Sequence, residues 1–323
     1  MTYFPSKPHH IEAKIDTWRR IAGNRLRIDS LPTYSGHRLY ALTLTEPTVP
    51  RAYKRALYLS QPHAHEPGAT AGMVDVIEQI LTGHRLDGTP TELDCESVLR
   101  KCVLTFNPIG NPQGRSRAPV DVWTGATHSN AEFWCWMRGE HPDKPGEMWE
   151  RYDRYDDRTR NAPNRPGIVY EQIDENVWVE PNRDRASSYF RLFERMDADI
   201  RFDLWLDLHQ QEFVNSPYRS EVILPVQQTI DTQSPSIRNE IFEWGREIVE
   251  AWDSVGFDPM PEPRPLPYSG QQAGYFVRTW GDLHRHMPII FTEIKNNALD
   301  APPGFQIRAQ AIAIETTIKR MMR

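Results

Sequence analysis

Short apolar runs alternate with longer amphipathic runs along this chain, and this alternation limits its fold more than any other feature. Strands are predicted at 38–45, 55–60, 98–106, 200–208 and 287–294. Helices are predicted at 11–22, 69–82, 187–196, 235–255 and 305–322, the second of them closed by Gly83. Strands that alternate with helices usually form a mostly parallel sheet that is covered on both faces. The sequence therefore predicts a single α/β domain with a mixed, mostly parallel, twisted sheet and helices on both faces.

The periodicity is lost between about 115 and 178, where tryptophan, proline and charged residues are concentrated. Five tryptophans fall in this stretch: Trp123, Trp134, Trp136, Trp149 and Trp178. We interpret the stretch as an insertion within a single domain that spans residues 1–323. Its aromatic residues are predicted either to anchor surface loops or to form an aromatic wall over a binding cleft.

Charge and composition exclude several classes of function. The formal net charge is −6, which argues against general nucleic-acid binding, because such proteins usually present a basic face. No apolar run approaches the roughly 20 residues that span a bilayer, and the first residues do not resemble a signal peptide. The three cysteines, Cys95, Cys102 and Cys135, provide no disulfide framework and fit a reducing compartment. We therefore expect a cytoplasmic protein without nucleic-acid or membrane partners.

Histidine and glutamate recur at a spacing that is typical of metal sites. Catalytic zinc usually takes three protein ligands from His, Asp and Glu, and keeps one position open. A His-x-x-Glu pair occurs at 9–12, 63–66 and 209–212. The first pair lies at the start of a predicted surface helix, whereas the other two follow predicted strands. His65-Glu66 does not begin an HExxH motif, because residue 69 is alanine.

The wider sequence around His63 resembles the zinc metallocarboxypeptidase family, the group that contains carboxypeptidase A. The stretch from Ser35 to Ala69 is similar to the family's two strands and its following His-Ala-x-Glu turn. Further matches follow in the family's order: Asn111–Gly114 (NPQG), Asn182-Arg183, Asp207–His209 (DLH) and Phe291–Glu293 (FTE). The resemblance extends from about residue 35 to the end of the chain and implies a carboxypeptidase-like fold.

The resemblance also implies a role for each matching residue. One Zn²⁺ ion would be bound by His63, Glu66 and His209, which is the His₂Glu ligand set known for carboxypeptidase A. Glu293 would serve as general base and acid, and Asn182 and Arg183 would hold the terminal carboxylate of the substrate. Tyr268, before Ser269-Gly270, is similar to the family's mobile tyrosine. The arginine that stabilises the oxyanion is predicted to be either Arg117 or Arg138.

The chain also departs from the family pattern. The segment between the Asn-Pro turn and Asn182 is longer than is usual, which leaves the identity of the oxyanion arginine open. Pro181 and Asp184 flank the Asn-Arg pair in place of the family's usual residues. These residues flank the predicted carboxylate-binding pair, so the shape of its pocket is expected to differ from the family's.

Three functions are compatible with this pattern. The leading hypothesis is a zinc carboxypeptidase that cleaves a peptide or a small amide bearing a carboxylate. The first alternative is a deacylase of N-acyl amino acids, similar to aspartoacylase and succinylglutamate desuccinylase, which usually have extra β-structure after the catalytic glutamate. Here the segment after Glu293 is short and is predicted to form one helix, which favours the peptidase. The second alternative is a non-catalytic module that binds carboxylates.

Overall fold

The computed structural model describes residues 3–159 and 162–323; residues 160 and 161, in the predicted insertion, lie outside the described part. The strands are β1 (Leu26–Pro32), β2 (Arg38–Leu44), β3 (Arg55–Ser60), β4 (Cys102–Asn107), β5 (Arg154–Asp156), β6 (Glu171–Asp174), β7 (Val177–Val179), β8 (Leu204–Gln211), β9 (Ser220–Leu224), β10 (Arg264–Pro265) and β11 (Ile289–Lys295). The α-helices are α1 (Pro8–Ala22), α2 (Pro67–Thr82), α3 (Cys95–Lys101), α4 (Pro112–Arg117), α5 (Asn130–Arg138), α6 (Ser188–Ile200), α7 (Gln227–Ile230), α8 (Pro235–Asp253), α9 (Gly270–His286) and α10 (Pro303–Met321).

Eight strands form one mixed sheet in the order β1-β2-β4-β3-β8-β11-β9-β10. The four central strands, β4, β3, β8 and β11, run parallel to one another. On one side β2 pairs antiparallel with both β4 and β1, and on the other side β9 pairs antiparallel with β11. The mixed, mostly parallel sheet that the sequence predicted is confirmed.

Helices cover both faces of this sheet, because each face is apolar. Helices α1, α2, α8 and α10 bury residues such as Trp18, Met73 and Trp244 in one core cluster. Helices α6 and α9 bury Phe190 and Trp280 in a second cluster, which packs on the strand residues of the opposite face of the sheet. Strands β3 and β8 are buried along almost their whole length, as is expected of strands covered on both sides.

Most predicted elements agree with the structure to within a few residues, but the strands predicted at 98–106 and 200–208 are partly wrong. The second begins only at Leu204 (β8), and Ile200 is the last residue of α6. Residues 98–101 belong to α3, and β4 begins only at Cys102. The helix begins after Asp94, whose side chain accepts a hydrogen bond from the Ser97 amide. This N-cap stabilises a helical turn that the apolar pattern alone does not reveal. Gly83 does end α2, in the left-handed conformation at φ 75°.

The predicted insertion contains a small sheet of its own, in the order β5-β7-β6, together with α5. Its aromatic residues pack on one another: Trp123 and Trp149 are about 1% exposed, and Tyr170 is fully buried. This packing agrees with the first interpretation, in which the aromatic residues anchor the loops. The boundaries of the insertion, about 115–178, stay a prediction.

Candidate active site

The candidate reactive residues lie where the central parallel strands end. His63 follows β3, His209 lies near the end of β8, and Glu293 lies on β11. His209 and Glu293 are register partners on adjacent strands, so their side chains emerge on the same face of the sheet. Because the carboxyl ends of parallel strands meet at one edge, residues far apart in sequence come together there.

His63, Glu66 and His209 form the single group of potential metal ligands found among the described residues, with ligand atoms within 4.8 Å of one another. His63 Nδ1 lies 2.9 Å from Glu66 Oε1, and His209 Nδ1 lies 3.2 Å from Glu66 Oε2. The two Nδ1 atoms are themselves 3.2 Å apart. All three side chains are buried, which is the arrangement that a metal site requires.

The donor atoms fit a divalent cation. Glu66 Oε2 is buried and makes no well-aligned hydrogen bond, although His209 Nδ1 is close to it. Two imidazole nitrogens that face each other at 3.2 Å next to a carboxylate suit a shared cation, because their lone pairs can then point at one ion. A sulfur-free His₂Glu set matches a borderline metal such as zinc.

Neighbouring side chains orient the two imidazole rings. His209 Nε2 lies 2.9 Å from Asp207 Oδ2, and His63 Nε2 lies 3.0 Å from Asn182 Oδ1 and 3.2 Å from Glu180 Oε1. Contacts of this kind fix the ring tautomer so that Nδ1 remains available as a ligand.

The turn between His63 and Glu66 is held from several sides. Arg115 Nη1 donates to the Ala64 carbonyl at 2.9 Å, and Asn296 Nδ2 donates to the His65 carbonyl at 3.1 Å. Pro67 begins α2 directly after Glu66, so the helix fixes the position of the carboxylate. Arg115 therefore supports the turn and is itself fully buried.

Electrostatic effects around the cluster are strong. Burial lowers the pKa of His209, but the carboxylates of Glu66 and Asp207 outweigh it and raise the pKa well above its ordinary value. The pKa of Glu66 is shifted in the opposite direction. Burial raises it, but the two imidazoles more than offset this effect, so the pKa lies well below its ordinary value. The carboxylate of Glu66 is thus held in its charged, ligand-competent form.

The pKa of Glu293 is shifted upward, opposite to that of Glu66. Burial raises the pKa of its carboxyl group well above the ordinary value, and although His209 opposes this, Glu66, Glu212 and Glu221 add to it. Glu221 is the register partner of Glu293 on β9, and its carboxylate is paired with Arg264 at 2.6 Å. A glutamate that takes up a proton readily is suited to general acid and base catalysis.

A cleft of about 380 Å³ joins this cluster to the predicted substrate-binding residues. It is lined by His63, His209 and Glu293 together with Asn182, Arg183 and Tyr268. The structure thus brings together all of the predicted metal ligands, the predicted base and the three predicted substrate-binding residues. The rest of the wall is made of Arg151 and four apolar side chains, Ile223, Leu266, Phe276 and Phe291.

The two arginines predicted for the oxyanion lie elsewhere. Arg117 donates to the carbonyls of Pro166 and Gly167 at 2.7 and 3.0 Å, and it is not among the residues that line the cleft. Arg138 is 5% exposed and donates to Glu180 at 2.7 Å. The structure brings Arg138 near the site through Glu180, and does not bring Arg117 to it.

Two residues of the site were missed by the sequence reasoning. Glu180 is fully buried and contacts Arg138, Arg183 (3.1 Å) and His63. Its position two residues before Asn182 was the available signal. An acid so close to a predicted carboxylate-binding pair would repel the substrate unless it were paired with a cation. Arg151 comes from the insertion, where the sequence offered no signal that distinguishes it from its many neighbouring arginines.

Within the described part of the chain, no helix combines the length and apolar character needed to cross a membrane. The three cysteines, all of which lie in the described part, are free thiols.

Comparison with known proteins yields matches in structure but not in sequence. No protein-family model matches the chain, and neither does any curated protein sequence. A metallo-carboxypeptidase from Burkholderia cenocepacia superposes with a TM-score of 0.60 at 12% identity, covering 96% of this chain and 68% of its own. Carboxypeptidase A from Helicoverpa armigera gives 0.60 at 12% identity, covering 98% and 73%.

A third match is a metallo-carboxypeptidase from Pseudomonas aeruginosa in complex with (2-guanidinoethylmercapto)succinic acid. It superposes with a TM-score of 0.58 at 15% identity, covering 98% of this chain and 69% of its own. Identities this low establish a common fold, and the motif residues His63, Asn182, Arg183, His209 and Glu293 line one cleft in it. The chain therefore has the fold of the zinc metallocarboxypeptidases, with a His-Glu-His cluster that can bind a metal at the carboxyl ends of its central strands.

Proposed function

We propose that this protein is a zinc-dependent carboxypeptidase-type hydrolase that cleaves an amide bond next to a free carboxylate. The observation that carries the proposal is the shared cleft: His63, His209 and Glu293 line it together with Asn182 and Arg183. A metal site alone is compatible with many kinds of hydrolase. A metal site beside a pair of residues that can bind a carboxylate favours a carboxypeptidase. The cytoplasmic location and the lack of nucleic-acid and membrane partners stay predictions from the sequence.

His63, Glu66 and His209 would hold the zinc ion. When bound, zinc supplies Lewis acidity, which polarises the scissile carbonyl and makes water more acidic. Asn182 and Arg183 would bind the terminal carboxylate of the substrate, since a guanidinium matches a carboxylate at two points. Arg183 Nη1 is oriented for this by Gln272, whose Oε1 accepts its hydrogen bond at 2.7 Å. Tyr268 would close over the same end of the substrate.

Glu293 would accept a proton from the attacking water and later deliver it to the nitrogen of the leaving amine. The raised pKa of its carboxyl group supports this role, because a base must take up the proton in order to return it. Phe276, Phe291 and Leu266 give the cleft apolar walls beside the reacting groups.

The test compares matched substrates. Purified protein is stripped with a chelator, reloaded with zinc, and assayed on peptides with a free C-terminus, on their C-terminal amides and on N-acyl amino acids. We expect release of the terminal residue from the free-carboxylate peptides only, and only with metal. Glu293→Gln should retain stoichiometric zinc and lose roughly 10²–10⁴-fold in kcat, whereas His209→Ala should lose the metal.

Two other results would redirect the assignment. Hydrolysis of N-acyl amino acids in preference to peptides would identify a deacylase. Stoichiometric zinc without hydrolysis of either class, or binding of carboxylates without zinc, would identify a non-catalytic binding module.

A further inference from the structure

Arg151 is an arginine of the insertion that lines the cleft, although it belongs to none of the motifs shared with the carboxypeptidases. The same cavity is lined by His63 and Glu293. The Arg151 side chain is 31% exposed, and its Nη1 donates a hydrogen bond to Tyr268 Oη at 2.8 Å. The insertion therefore adds a guanidinium to the wall of the cleft.

Arg151 lies next to Arg183, which is predicted to hold the terminal carboxylate of the substrate. The guanidinium carbons of Arg151 and Arg183 lie 5.3 and 5.7 Å from the centre of the Tyr268 ring. Both side chains also approach the same oxygen of Glu180, Oε1, with Arg183 Nε at 3.1 Å and Arg151 Nη2 at 3.8 Å. A substrate residue whose terminal carboxylate binds Arg183 therefore lies close to a second guanidinium.

The positive charge around Glu180 exceeds what this carboxylate and the terminus of a substrate can balance. Glu180 is fully buried and contacts Arg138 at 2.7 Å in addition to Arg183 and Arg151, so three guanidiniums surround one carboxylate. The terminal carboxylate of a substrate adds a second negative charge. Among the described residues that line the cleft, Glu293 is the only carboxylate, and it lies beside the predicted metal ligands, whose ion would balance it. One positive charge is thus left for a further anionic group of the ligand.

Arg151 also keeps hydrogen-bond donors that the protein does not use. The distance of 3.8 Å from Nη2 to Glu180 is too long for a hydrogen bond, and the buried Nε has no partner among the described residues. Arg138, by contrast, reaches both oxygens of Glu180, at 2.7 and 3.5 Å. An apolar ligand group packed against Arg151 would leave its donors unsatisfied, which costs free energy, whereas a carboxylate would accept them.

The remaining wall of the cleft suits the stem of an acidic side chain. It is formed by Ile223, Leu266, Phe276 and Phe291. Apolar surface of this kind can cover methylene groups while the charged end of the same side chain binds a polar partner. A glutamate side chain combines two methylene groups with a carboxylate, so it can contact both the apolar wall and Arg151.

We propose that Arg151 is a specificity-determining residue that binds the side-chain carboxylate of the substrate's C-terminal residue, so that the preferred substrates end in glutamate or aspartate. This rests on the proposed peptidase function, in which Arg183 binds the terminal carboxylate of that same residue. The two carboxylates of an acidic C-terminal residue are separated by only a few bonds, and each would meet one guanidinium. A guanidinium can form two parallel hydrogen bonds with a carboxylate, so the selection has a geometric basis as well as an electrostatic one.

Matched peptides that differ only in their last residue, which is Glu, Gln or Leu, test the proposal on the zinc-loaded enzyme. Gln has the shape of Glu without its charge. We expect kcat/KM for the Glu peptide to exceed that for the Gln peptide by roughly 10–10²-fold, the range of a hydrogen bond to a charged group. Arg151→Met should remove this preference by lowering kcat/KM for the Glu peptide alone. Arg151→Lys, which keeps the charge, should retain part of the preference.

The control is Arg158→Met, which removes an exposed arginine of the same insertion that does not line the cleft. This variant should keep the preference of the wild type. The proposal is overturned if the wild type cleaves the Gln peptide as efficiently as the Glu peptide, or if Arg158→Met loses the preference as well. It is also overturned if Arg151→Met lowers kcat/KM equally for all three peptides, because Arg151 would then act on a part that they share. Thermal unfolding and zinc content check each variant.

A binding measurement separates this proposal from the proposed function. Zinc-loaded protein is titrated calorimetrically with L-glutamate and with L-glutamine. If the protein cleaves no peptide, the proposed function fails, yet tighter binding of glutamate that is lost in Arg151→Met still supports recognition of an acidic side chain by Arg151. Equal affinities for the two amino acids overturn it.

Discussion

The ion pair between Arg138 and Glu180 provides a sharp test of how the site is built. Glu180 is fully buried and Arg138 is 5% exposed, with Nη1 and Oε2 2.7 Å apart. Burial raises the pKa of Glu180, but Arg138, Arg151 and His63 outweigh burial and hold the pKa below its ordinary value. The carboxylate is therefore charged at neutral pH because its partners are present.

Removal of either partner alone should strongly lower the free energy of unfolding. Two unit charges at 2.7 Å attract by roughly 6 kcal/mol at an effective dielectric constant of 20. Loss of one member of a buried pair typically costs about 3–5 kcal/mol, because the other charge is left without compensation. Arg183 at 3.1 Å and Arg151 at 3.8 Å remain beside Glu180. We therefore expect Arg138→Met to lie at the lower end, at about 3 kcal/mol.

The assay is a double-mutant cycle of Arg138→Met, Glu180→Gln and the combination, measured by urea unfolding of the metal-free protein at pH 7.5. Metal-free protein is used so that changes in metal affinity do not enter the free energy of unfolding. We expect the free energy of unfolding of the double variant to fall by less than the sum of the two single losses, by about 2 kcal/mol or more, since neither charge is then left alone. Strict additivity, or single losses below about 1 kcal/mol, would refute the view that this pair is a mutually dependent unit.

Two further predictions concern stability. The pKa of the buried Glu171 is raised to about 7, chiefly by burial. The folded protein therefore keeps this proton while the unfolded chain releases it, and stability should fall by about 3 kcal/mol as pH rises from 4.5 to 7. Glu171→Gln should abolish this loss in urea titrations at pH 5 and 8; an unchanged slope would contradict the assignment. Gly114→Ala should destabilise by about 3 kcal/mol or more in thermal unfolding, because its Cβ would lie 1.9 Å from the Ile168 carbonyl oxygen. The matched control, Gly304→Ala in the first turn of α10, meets nothing within 4 Å and should stabilise the protein by no more than about 1 kcal/mol; equal losses for the two variants would exclude the steric explanation.

Sequence patterns predicted the central elements well, because those elements depend on local features. The strand predicted at 55–60 is β3 (Arg55–Ser60), and the helix predicted at 69–82 is α2 (Pro67–Thr82). Strand β9 (Ser220–Leu224) and helix α9 (Gly270–His286) were not predicted. β9 is only five residues long, which is too short to show a clear period. α9 does carry apolar residues at helical spacing, with Ala273, Phe276 and Trp280 buried, so this signal was present in the sequence and was missed.

The candidate metal ligands were predicted from the order of short motifs, and Glu293 was predicted as the base from its place in such a motif. The structure then placed all four residues around one point, since parallel strands end at one edge of the sheet. The choice between Arg117 and Arg138 could not be made in the same way. Both residues follow the Asn-Pro turn at plausible distances, and only their contacts show that one binds backbone carbonyls and the other binds Glu180.

The sequence by itself determined the α/β class, which follows from periodicity, and its family resemblance predicted the candidate ligand set and the candidate base. Tertiary structure alone decided which polar side chains meet: Glu180 with Arg138, Arg151 with Tyr268, and Glu221 with Arg264. The physical reason is the range of the interactions. Periodicity and capping act between residues a few positions apart, whereas the pairing of buried charges depends on distances of 3–4 Å between segments that only the complete fold brings together.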